Sequence, residues 1–290
     1  MKILIFGGAG QLGFEILKRA YDLNFEVVSP VLSEVDVTNQ KEVNSFTDLI
    51  NPDLIINCAA YTNVDKAEED KEAAFLLNAD AAGFVAEAAK RNNARIFHIS
   101  TDYVFSGNGS VPLKEEDPTG PLGIYGKSKL KGEELVQEVA SDKSLIIRTS
   151  SLFGVRGINF VGTMLKLFAE KEELNVVSDQ FMSPTWAGWL SEILLDLARI
   201  PSSGVLHATN GGVITWFDFA NKILELSKDS IPNARKLKIN PVSAKEFARP
   251  APRPAFSVLD TEKLTKLVGR KPMSWEMALE EYLKDAGVIG

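Results

Sequence analysis

The sequence contains little of what disulfide frameworks and metal clusters require. Among its 290 residues there is one cysteine, Cys58, and there are two histidines, His98 and His207. A single cysteine excludes an intramolecular disulfide and a cysteine-based metal cluster. Both histidines stand inside short apolar runs that are far apart in the sequence. We therefore interpret them as strand residues rather than as parts of a zinc site or a histidine-based triad.

Long apolar stretches and an excess of basic charge are also missing. No run of about 18 apolar residues predicts a membrane helix, and the amino terminus lacks the features of a signal peptide, so we expect a cytoplasmic protein. The 32 basic and 39 acidic residues give a net charge of −7, which argues against a nucleic-acid partner or an anionic membrane surface. With 45% hydrophobic and 24% charged residues, the composition is that of a globular protein.

What the sequence does contain is a glycine-rich segment near its amino terminus. An apolar run at residues 2–6 is followed by GGAGQLG at 7–13, and helical spacing of apolar residues begins at Gln11. Glycines at a strand-to-helix turn let the backbone approach a pyrophosphate, and the helix N-terminus offers free N–H groups to the anion. The segment predicts a dinucleotide site, with a tight turn that binds no ligand as the alternative.

Strand-like and helix-like segments alternate up to residue 150, which is typical of a Rossmann-type, doubly wound parallel sheet in an α/β domain at residues 1–150. Strands are predicted at 2–6, 25–29, a weak one just before Asp36, 53–60, 94–100 and 144–148. Helices are predicted at 11–21, 39–50, 69–92 and 123–139. Such sheets bind ligands at the carboxyl ends of their strands. The predicted cofactor contacts are Gly7, Gly10, Gln11, Leu12, Gly13, Asp36, Val37, Ala59 and Ala60.

After residue 150 the alternation becomes less regular. Residues 184–212 contain a helix and a strand that we expect to return to the main sheet, whereas 151–183 and 213–290 are expected to form a smaller α/β substrate-binding lobe. The segment DQFMSPT at 179–185 is predicted to be a loop, and three prolines exclude regular structure at 249–254. The remaining predicted elements are helices at 158–171, 187–199, 215–228 and 274–286, and strands at 174–178, 204–209 and 236–240.

A tyrosine and a lysine stand four residues apart in YGKSK at residues 125–129. On a helix this spacing puts Tyr125 and Lys129 on one face, whereas Lys127 points elsewhere. An ammonium beside a phenol favours the phenolate and draws the pKa of the tyrosine from about 10 toward neutrality. The pair therefore predicts a proton donor and acceptor. The spacing alone is common, and a solvated helix face is the alternative.

Together these segments resemble the extended short-chain dehydrogenase/reductase family, through GGAGQLG, the strand end STDYVF and YGKSK. More narrowly, the chain is similar to the dTDP-4-dehydrorhamnose reductase group, and this likeness covers essentially the whole chain. The segments that carry it are AAYTNVDKAEED (59–70), STDYVFSGNG (100–109), YGKSKLKGE (125–133), RTSSLFG (148–154), DQFMSPT (179–185) and RPAFSVLDTEKL (253–264).

The resemblance implies an NAD(P)H-dependent oxidoreductase that reduces a nucleotide-linked 4-keto-6-deoxy sugar, in this group dTDP-4-dehydrorhamnose to dTDP-rhamnose. It implies that Thr101 donates a hydrogen bond to the ketone, that Tyr125 protonates the ketone oxygen, and that Lys129 holds the nicotinamide ribose. It implies that Asn78 supports the proton path, with a polar packing residue as the alternative. The implied substrate contacts are Thr62, Val64, Thr101, Tyr103, Tyr125 and Arg253.

Other functions fit parts of this pattern. Nucleotide-sugar epimerases share the Tyr/Lys chemistry, and a non-enzymatic relative serves as a regulatory subunit of methionine adenosyltransferase. Intact Thr101, Tyr125 and Lys129 favour an enzyme over that subunit. Dehydratases of the superfamily carry a glutamate after the aspartate of STD, because eliminating water needs an acid and a base at neighbouring carbons. Tyr103 stands at that position here, which indicates that dehydration is not the reaction.

The cofactor is only weakly marked by the sequence. The second predicted strand ends at Ser29-Pro30, with no acid for a ribose 2′-hydroxyl and no adjacent arginine for a 2′-phosphate. We favour NADPH, or use of both NADPH and NADH.

The chain departs from the reductase group at two sets of positions. Some members form dimers bridged by a metal on acidic residues. Glu15 matches one such ligand, but Gly188 stands where another acid is expected, so we predict no metal and either a monomer or a homodimer. Ser151 replaces an aromatic residue after RTS. Trp186 is considered as a substitute aromatic wall for the sugar, against the alternative that it packs in the core.

Overall fold

The computed structural model describes residues 1–232 and 234–290, and strands alternate with helices in its amino-terminal half. The strands of this half are β1 (Lys2–Phe6), β2 (Glu26–Val28), β3 (Leu54–Asn57), β4 (Arg95–Thr101) and β5 (Ser144–Thr149). Its helices are α1 (Gln11–Asp22), α2 (Gln40–Ile50), α3 (Val64–Ala67), α4 (Lys71–Phe75), α5 (Ala81–Arg91) and α6 (Ile124–Ala140). A π-helical segment, Leu76–Asp80, joins α4 to α5.

The second half has shorter strands and longer connections. Its strands are β6 (Leu152–Phe153), β7 (Glu173–Val177), β8 (Phe181–Met182), β9 (Thr185–Trp186), β10 (Gly204–His207), β11 (Ile214–Thr215) and β12 (Lys238–Val242). Its helices are α7 (Phe160–Glu170), α8 (Ala187–Ala198), α9 (Trp216–Ser227), α10 (Glu262–Val268) and α11 (Trp275–Asp285). No helix in the described ranges is long and apolar enough to cross a membrane.

Six parallel strands form the central sheet, in the order β2-β1-β3-β4-β5-β10. Because β2 and β3 lie on opposite sides of β1, the direction of strand addition reverses there and a crevice opens at the carboxyl ends of β1 and β3. The predicted α/β fold with a doubly wound parallel sheet is confirmed. Both histidines lie in strands, as predicted: His98 in β4 and His207 in β10.

Helices cover both faces of the sheet because successive side chains of each strand point to opposite faces. Ile3 and Ile5 of β1 belong to a core cluster that includes residues of α1 and α8. Leu4 and Phe6, on the other face, pack with residues of α2, α5 and α6. The buried apolar run LIIN of β3 reflects the same two-sided burial.

The carboxyl-terminal lobe is built around α7, α9 and a two-stranded parallel ladder between β7 and β12. Residues of α7 and α9 pack together through Phe160 and Phe219, whose stacked rings lie 5.8 Å apart. Their apolar side chains belong to the same cluster as α1 and α8. The lobe is therefore continuous with the core on one face of the central sheet.

Two local predictions are wrong, and one helix was missed. The weak strand before Asp36 does not form: the backbone N–H groups of Glu34 and Val35 both donate to the Val31 carbonyl, at 2.9 and 3.1 Å, so the chain turns and β2 stays at the sheet edge. The predicted loop at 179–185 contains β8, which pairs with β11, and enters β9. Helix α10 was not predicted. Short strands such as β8 depend on partners distant in sequence, which local patterning does not identify.

Candidate active site

The glycine-rich segment forms the turn between β1 and α1. Gly7 has a φ of +83°, and a Cβ added there would lie 2.6 Å from the backbone nitrogen of Ala59. A Cβ on Gly13 would lie 2.6 Å from the Cα of Gly8. Only glycine fits such approaches. The turn thus brings the start of α1 to the crevice where β1 and β3 end.

The start of α1 fits the diphosphate of a dinucleotide. Its N-cap residue, Gly10, contributes no side-chain cap, and the first turn holds no acidic side chain. The N–H groups of Gln11, Leu12 and Gly13 therefore have no acceptor within the helix. The side-chain oxygen of Gln11 is buried and has no hydrogen-bond partner among the described residues. These groups can hold an anion and an adjoining hydroxyl.

The polar side chains of Ser29 and Asp36, which follow β2, are already hydrogen-bonded within the protein. The Ser29 hydroxyl donates to the Ile5 carbonyl at 3.0 Å and lies against Gly8. The Asp36 carboxylate accepts the N–H and the hydroxyl of Thr38, at 2.9 and 2.7 Å. Val37 packs half-buried on the core face that holds Phe6. The Asp36 carboxylate thus caps its own turn, which agrees with the lack of a ribose-binding acid in the sequence.

Thr101 and Tyr125 come together because α6 packs closely on the segment after β4. A Cβ on Gly126 would overlap the carbonyl oxygen of Tyr103, so only glycine permits this approach. Thr101, 6% exposed at the end of β4, accepts the backbone N–H of Tyr103 at 3.2 Å. The rings of Tyr103 and Tyr125 meet edge to face, with centroids 5.8 Å apart. The predicted hydroxyl and phenol therefore share one site.

The two lysines of YGKSK differ as their helical positions predict: Lys127 is exposed, and Lys129 is 2% exposed. The Lys129 ammonium donates to the Ile99 carbonyl at 2.6 Å and lies 3.5 Å from Nε2 of His98. Burial lowers the pKa of Lys129 to about 8, although the charge of Glu133 opposes the shift. A lysine in this setting gives up a proton more readily than one in water.

The prediction that Lys129 lowers the pKa of Tyr125 is wrong for this structure. Burial raises the pKa of Tyr125 to about 12, and only the hydrogen bond with Thr101 lowers it. The amine of Lys129 is held at the Ile99 carbonyl and makes no contribution to the shift. Desolvation of the phenolate therefore outweighs the charge that the spacing suggested.

Asp102 is a buried carboxylate to which the sequence analysis assigned no role. Its oxygens accept the hydroxyls of Thr101 at 3.0 Å and Ser150 at 2.8 Å. Burial raises the pKa of Asp102, and hydrogen bonds from Ser257, Ser150 and Thr101 oppose the shift. Asp102 orients the Thr101 hydroxyl and, through Ser150, links the ends of β4 and β5. Its place inside the STD motif was the available signal.

Asn78 lies in the π-helical segment that precedes α5. Its side chain accepts the N–H of Tyr61 at 2.8 Å and donates to the Tyr61 carbonyl at 3.1 Å and to Ser128 at 2.9 Å. These three bonds tie the segment after β3 to α6. The packing alternative therefore describes the contacts of Asn78 better than a place in the proton path.

A cavity of about 1100 Å³ opens beside Tyr103. Its wall combines aromatic and basic side chains from the carboxyl-terminal lobe, among them Phe160, Trp216, Phe247, Lys245, Arg249 and Arg253. Two predicted substrate contacts, Tyr103 and Arg253, thus line it. Thr62 is exposed and Val64 is half-buried at the start of α3. The cavity suits a large ligand with flat and anionic parts.

Asp65, another residue without a predicted role, holds two of these basic groups. Its carboxylate accepts two hydrogen bonds from Arg253, both at 3.0 Å, and one from Arg249 at 3.3 Å. The backbone N–H of Ala251 adds a fourth at 3.2 Å. These hydrogen bonds lower the pKa of Asp65, although burial opposes them. Asp65 thus clamps the proline-rich segment 249–254 to α3.

Trp186 and Gly188 lie away from the cavity. The Arg19 guanidinium stands 5.2 Å from the Trp186 ring centroid, and a Cβ on Gly188 would lie 2.6 Å from the same guanidinium. Trp186 therefore packs in the core, as the alternative held, and position 188 has no room for a carboxylate. Glu15 is buried and paired with Arg19. Within residues 1–232 and 234–290, no three acidic, cysteine or histidine side chains are grouped to hold a metal.

Comparisons with known proteins agree with this geometry. The chain is 39% identical over 286 residues to dTDP-4-dehydrorhamnose reductase of Aggregatibacter actinomycetemcomitans. The aligned region covers 96% of this chain and 97% of that protein. It superposes on the dTDP-4-dehydrorhamnose reductase of Clostridium acetobutylicum with a TM-score of 0.93 and 39% identity, covering 99% and 100% of the two chains.

A second solved structure bears on the cofactor. The Bacillus anthracis dTDP-4-dehydrorhamnose reductase in complex with NADP gives a TM-score of 0.92 at 36% identity, covering 98% and 99% of the two chains. A family model described as the RmlD substrate binding domain matches residues 1–288. A match of this length, with these relatives, means that the chain belongs to the RmlD substrate binding domain family.

Proposed function

We propose that the protein uses NADPH to reduce the 4-keto group of a nucleotide-linked 6-deoxy sugar, and that its substrate is dTDP-4-dehydrorhamnose, which yields dTDP-rhamnose. One observation carries the proposal: Thr101 and Tyr125 both contact Tyr103, which lines a large aromatic and basic cavity at the carboxyl edge of the sheet that also holds the glycine turn. The relatives named dTDP-4-dehydrorhamnose reductase, and the NADP complex among them, support the substrate and the cofactor.

In the proposed reaction Tyr125 supplies the proton. When bound, the nicotinamide cofactor supplies the hydride, and the sugar oxygen gains charge as the hydride arrives. A pKa of about 12 keeps the phenol of Tyr125 protonated at neutral pH, which is the form that a proton donor needs. We assign Thr101 to the hydrogen bond that holds the ketone oxygen, for which its single hydroxyl proton turns from Asp102 to the ketone.

Binding of the nucleotide diphosphate is assigned to the cavity. Arg253 and Arg249 are suited to the phosphates because guanidinium groups bind their oxygens in pairs. Phe160, Trp216 and Phe247 offer apolar surface to the base and the sugars. Thr62, Val64 and Tyr103 remain proposed sugar contacts, and Lys129 the proposed contact of the nicotinamide ribose.

We retain the predicted division of the chain as a proposal. Residues 1–150 and 184–212 form the dinucleotide domain, and residues 151–183 and 213–290 form the substrate lobe. The pairing of β10 with β5 and the packing of α8 on α1 support it. A cytoplasmic location and a monomeric or homodimeric state are likewise proposed, and light scattering of the purified protein tests the latter.

Turnover with purified substrate tests the function. We expect dTDP-4-dehydrorhamnose to oxidise one equivalent of NADPH, with dTDP-rhamnose as the product by NMR. Interconversion of sugar epimers without net NADPH oxidation would indicate an epimerase instead. Binding to methionine adenosyltransferase without any NADPH oxidation would indicate a regulatory subunit. NADH in place of NADPH, compared by kcat/KM, measures the cofactor preference.

A further inference from the structure

The loop between β6 and α7 lies on the first turn of α1. A Cβ added to Gly157 would lie 3.0 Å from the Cγ of Gln11, and one added to Gly154 would lie 3.7 Å from the Cβ of Gln11. The loop is closed on itself, because the side-chain amide of Asn159 donates to the Gly154 carbonyl at 2.8 Å. The oxygen of the same amide caps α7. Residues 154–159, the covering loop, are thus fixed against the start of the helix that we propose to bind the cofactor diphosphate.

Arg156 lies in the middle of the covering loop, beside this helix. Its guanidinium carbon is 4.0 Å from the centroid of the Phe14 ring. The N–H of Phe14 donates to the Gly10 carbonyl at 3.0 Å, so Phe14 closes the first turn of α1. The N–H groups that have no acceptor within the helix belong to the same turn. The structure therefore puts a positive charge about one helical turn from them.

The guanidinium of Arg156 is available to a ligand. It is exposed, and within residues 1–232 and 234–290 it makes no hydrogen bond or ion pair. By contrast, Lys18 and Arg19, the basic residues of α1 itself, are paired with Asp285 and Glu15. A cation over an aromatic ring in an exposed setting is held only weakly. The five N–H donors of the Arg156 guanidinium can therefore turn to an anion.

The glycine turn by itself leaves much of the charge of a diphosphate uncompensated. A dinucleotide diphosphate carries two negative charges, whereas a helix N-terminus offers the equivalent of about half a positive charge. The segment GGAGQLG at 7–13 contains no basic residue. Hydrogen bonds from a guanidinium to phosphate oxygens are about twice as strong as those between neutral groups, and they form in pairs. An arginine beside the turn can therefore supply the charge that the turn lacks.

We propose that Arg156 is a cofactor-binding residue whose guanidinium leaves the Phe14 ring and pairs with the diphosphate of the nicotinamide nucleotide at the start of α1. This inference rests on the proposed function. The stack on Phe14 keeps the guanidinium beside the turn before the nucleotide arrives, which limits the conformational entropy lost on binding. The alternative is that Arg156 only covers the half-buried ring of Phe14. The two roles differ in what replacement of the arginine does to nucleotide affinity.

Calorimetry of nucleotide binding tests the pairing without turnover. In Arg156→Gln the Kd for NADPH should rise about 5- to 30-fold. Arg156→Lys keeps the charge but loses the paired donors, so its Kd should lie between those of the unmodified protein and Arg156→Gln. Because Arg156 is exposed, thermal unfolding should be nearly the same in all three proteins. An unchanged Kd in Arg156→Gln would refute the proposal and leave the arginine as a cover for Phe14.

Binding of NADH distinguishes the diphosphate from the 2′-phosphate of NADPH. Both nucleotides contain the diphosphate, so Arg156→Gln should weaken the binding of both by the same factor. Weaker binding of NADPH alone would put the guanidinium at the 2′-phosphate and overturn the assignment. Added NaCl should reduce the difference in Kd between the unmodified protein and Arg156→Gln, because salt screens a pairing of exposed charges.

Arg199 provides a matched control at the other end of α1. It is exposed, and its guanidinium carbon lies 4.7 Å from the ring centroid of Phe25, which follows that helix. Arg199→Gln removes the same charge and the same kind of stack, and it should leave the Kd values for NADPH and NADH within about twofold. Equal weakening in the Arg199 and Arg156 variants would indicate an effect of net charge and would refute the proposal. Failure of the proposed function looks different: the unmodified protein would bind NADPH but would not oxidise it with dTDP-4-dehydrorhamnose.

Discussion

At the scale of single residues, burial rather than a neighbouring charge determines the protonation of the candidate acid. The ring of Tyr125 packs edge to face against Tyr103, and burial disfavours its phenolate. For a reduction this is the useful direction, because the phenol must hold a proton when the ketone arrives.

Tyr125→Phe removes the phenolic proton and leaves the ring. We expect kcat for NADPH oxidation to fall about 10²- to 10⁴-fold, the usual contribution of general acid catalysis, with thermal unfolding nearly unchanged. Lys127→Ala, two residues along the same helix but exposed, is the matched control and should keep near-normal kcat. Near-normal turnover by Tyr125→Phe would remove the phenol from the mechanism.

Asp65 is a second residue whose proposed role depends on specific partners, the guanidinium groups of Arg253 and Arg249. Asp65→Asn keeps its shape but removes the charge that orients Arg253 and Arg249. A partly buried charge pair contributes about 1 to 2 kcal/mol. Its loss should therefore raise KM for the nucleotide sugar about 5- to 30-fold. KM for NADPH should stay within about twofold, because the glycine turn is untouched.

A neighbouring aspartate provides the control for Asp65. Asp70 pairs with Lys66 at 3.1 Å in an exposed setting and contacts neither arginine. Asp70→Asn should therefore leave both KM values unchanged, since exposed ion pairs contribute little. If Asp65→Asn instead raised KM for NADPH and the nucleotide sugar equally, a general loss of folding would explain it better.

At the scale of elements, close backbone approach decides where α1 and α6 lie. Gly7 and Gly13 let the first turn of α1 approach the end of β3, and Gly126 lets α6 meet the segment after β4. On α6, Gly132 leaves room for the carbonyl oxygen of Asn78. The π-helical segment that carries Asn78 is a local departure from α-helical geometry of a kind often found near functional sites.

Gly13→Ala tests the first of these approaches. The Cβ of the new alanine would press on the Cα of Gly8. Because a backbone atom cannot move aside alone, the clash can be relieved only by movement of the whole turn. We expect the free energy of unfolding to fall by about 1 to 3 kcal/mol and NADPH binding to weaken at least tenfold by calorimetry.

Gly83→Ala, also within a helix, is the control for Gly13→Ala. Its Cβ would meet Leu135 at 3.6 Å, an ordinary contact. Replacing a helical glycine by alanine without a steric clash stabilises a protein by about 0.5 to 1 kcal/mol. In urea unfolding, Gly13→Ala should lower the free energy of unfolding and Gly83→Ala should raise it. Equal changes in the two variants would contradict the steric explanation.

At the scale of the whole molecule, enclosure of both histidines makes the fold sensitive to acid. Burial lowers the pKa of His207 to about 3 and holds that of His98 well below 6.5. The unfolded chain therefore binds protons below about pH 6.5 that the folded chain does not. Stability from these groups is complete above that pH and is lost as the pH falls. Burial raises the pKa values of Asp102 and Glu115, so the folded chain binds protons at these two carboxylates more readily than the unfolded chain. Their contribution to stability therefore grows as the pH falls and opposes that of the histidines.

We therefore expect the free energy of unfolding to decrease between pH 6 and pH 5. The loss should approach about 1.4 kcal/mol per pH unit for each histidine, reduced by the two carboxylates. Urea unfolding at several pH values measures the slope. His207→Gln should lower the slope by up to half, and a slope that is the same in both proteins would show that His207 is not the source.

The sequence by itself determined the framework of this protein. Alternating apolar segments required a parallel sheet with helices on both faces, the glycines at 7–13 marked the turn proposed to bind the cofactor, and the spacing of Tyr125 and Lys129 put them on one helical face. These features depend on backbone geometry and on neighbours within a few turns, so a local pattern records them.

Only the tertiary structure decided the environments of the candidate site. The clamp of Asp65 on Arg253 joins residues 188 positions apart, and Arg156, which precedes α7, stacks on Phe14 of α1. The pKa of Tyr125 was predicted in the wrong direction for the same reason. Desolvation depends on how completely distant segments enclose a group, and no spacing along the chain records that enclosure.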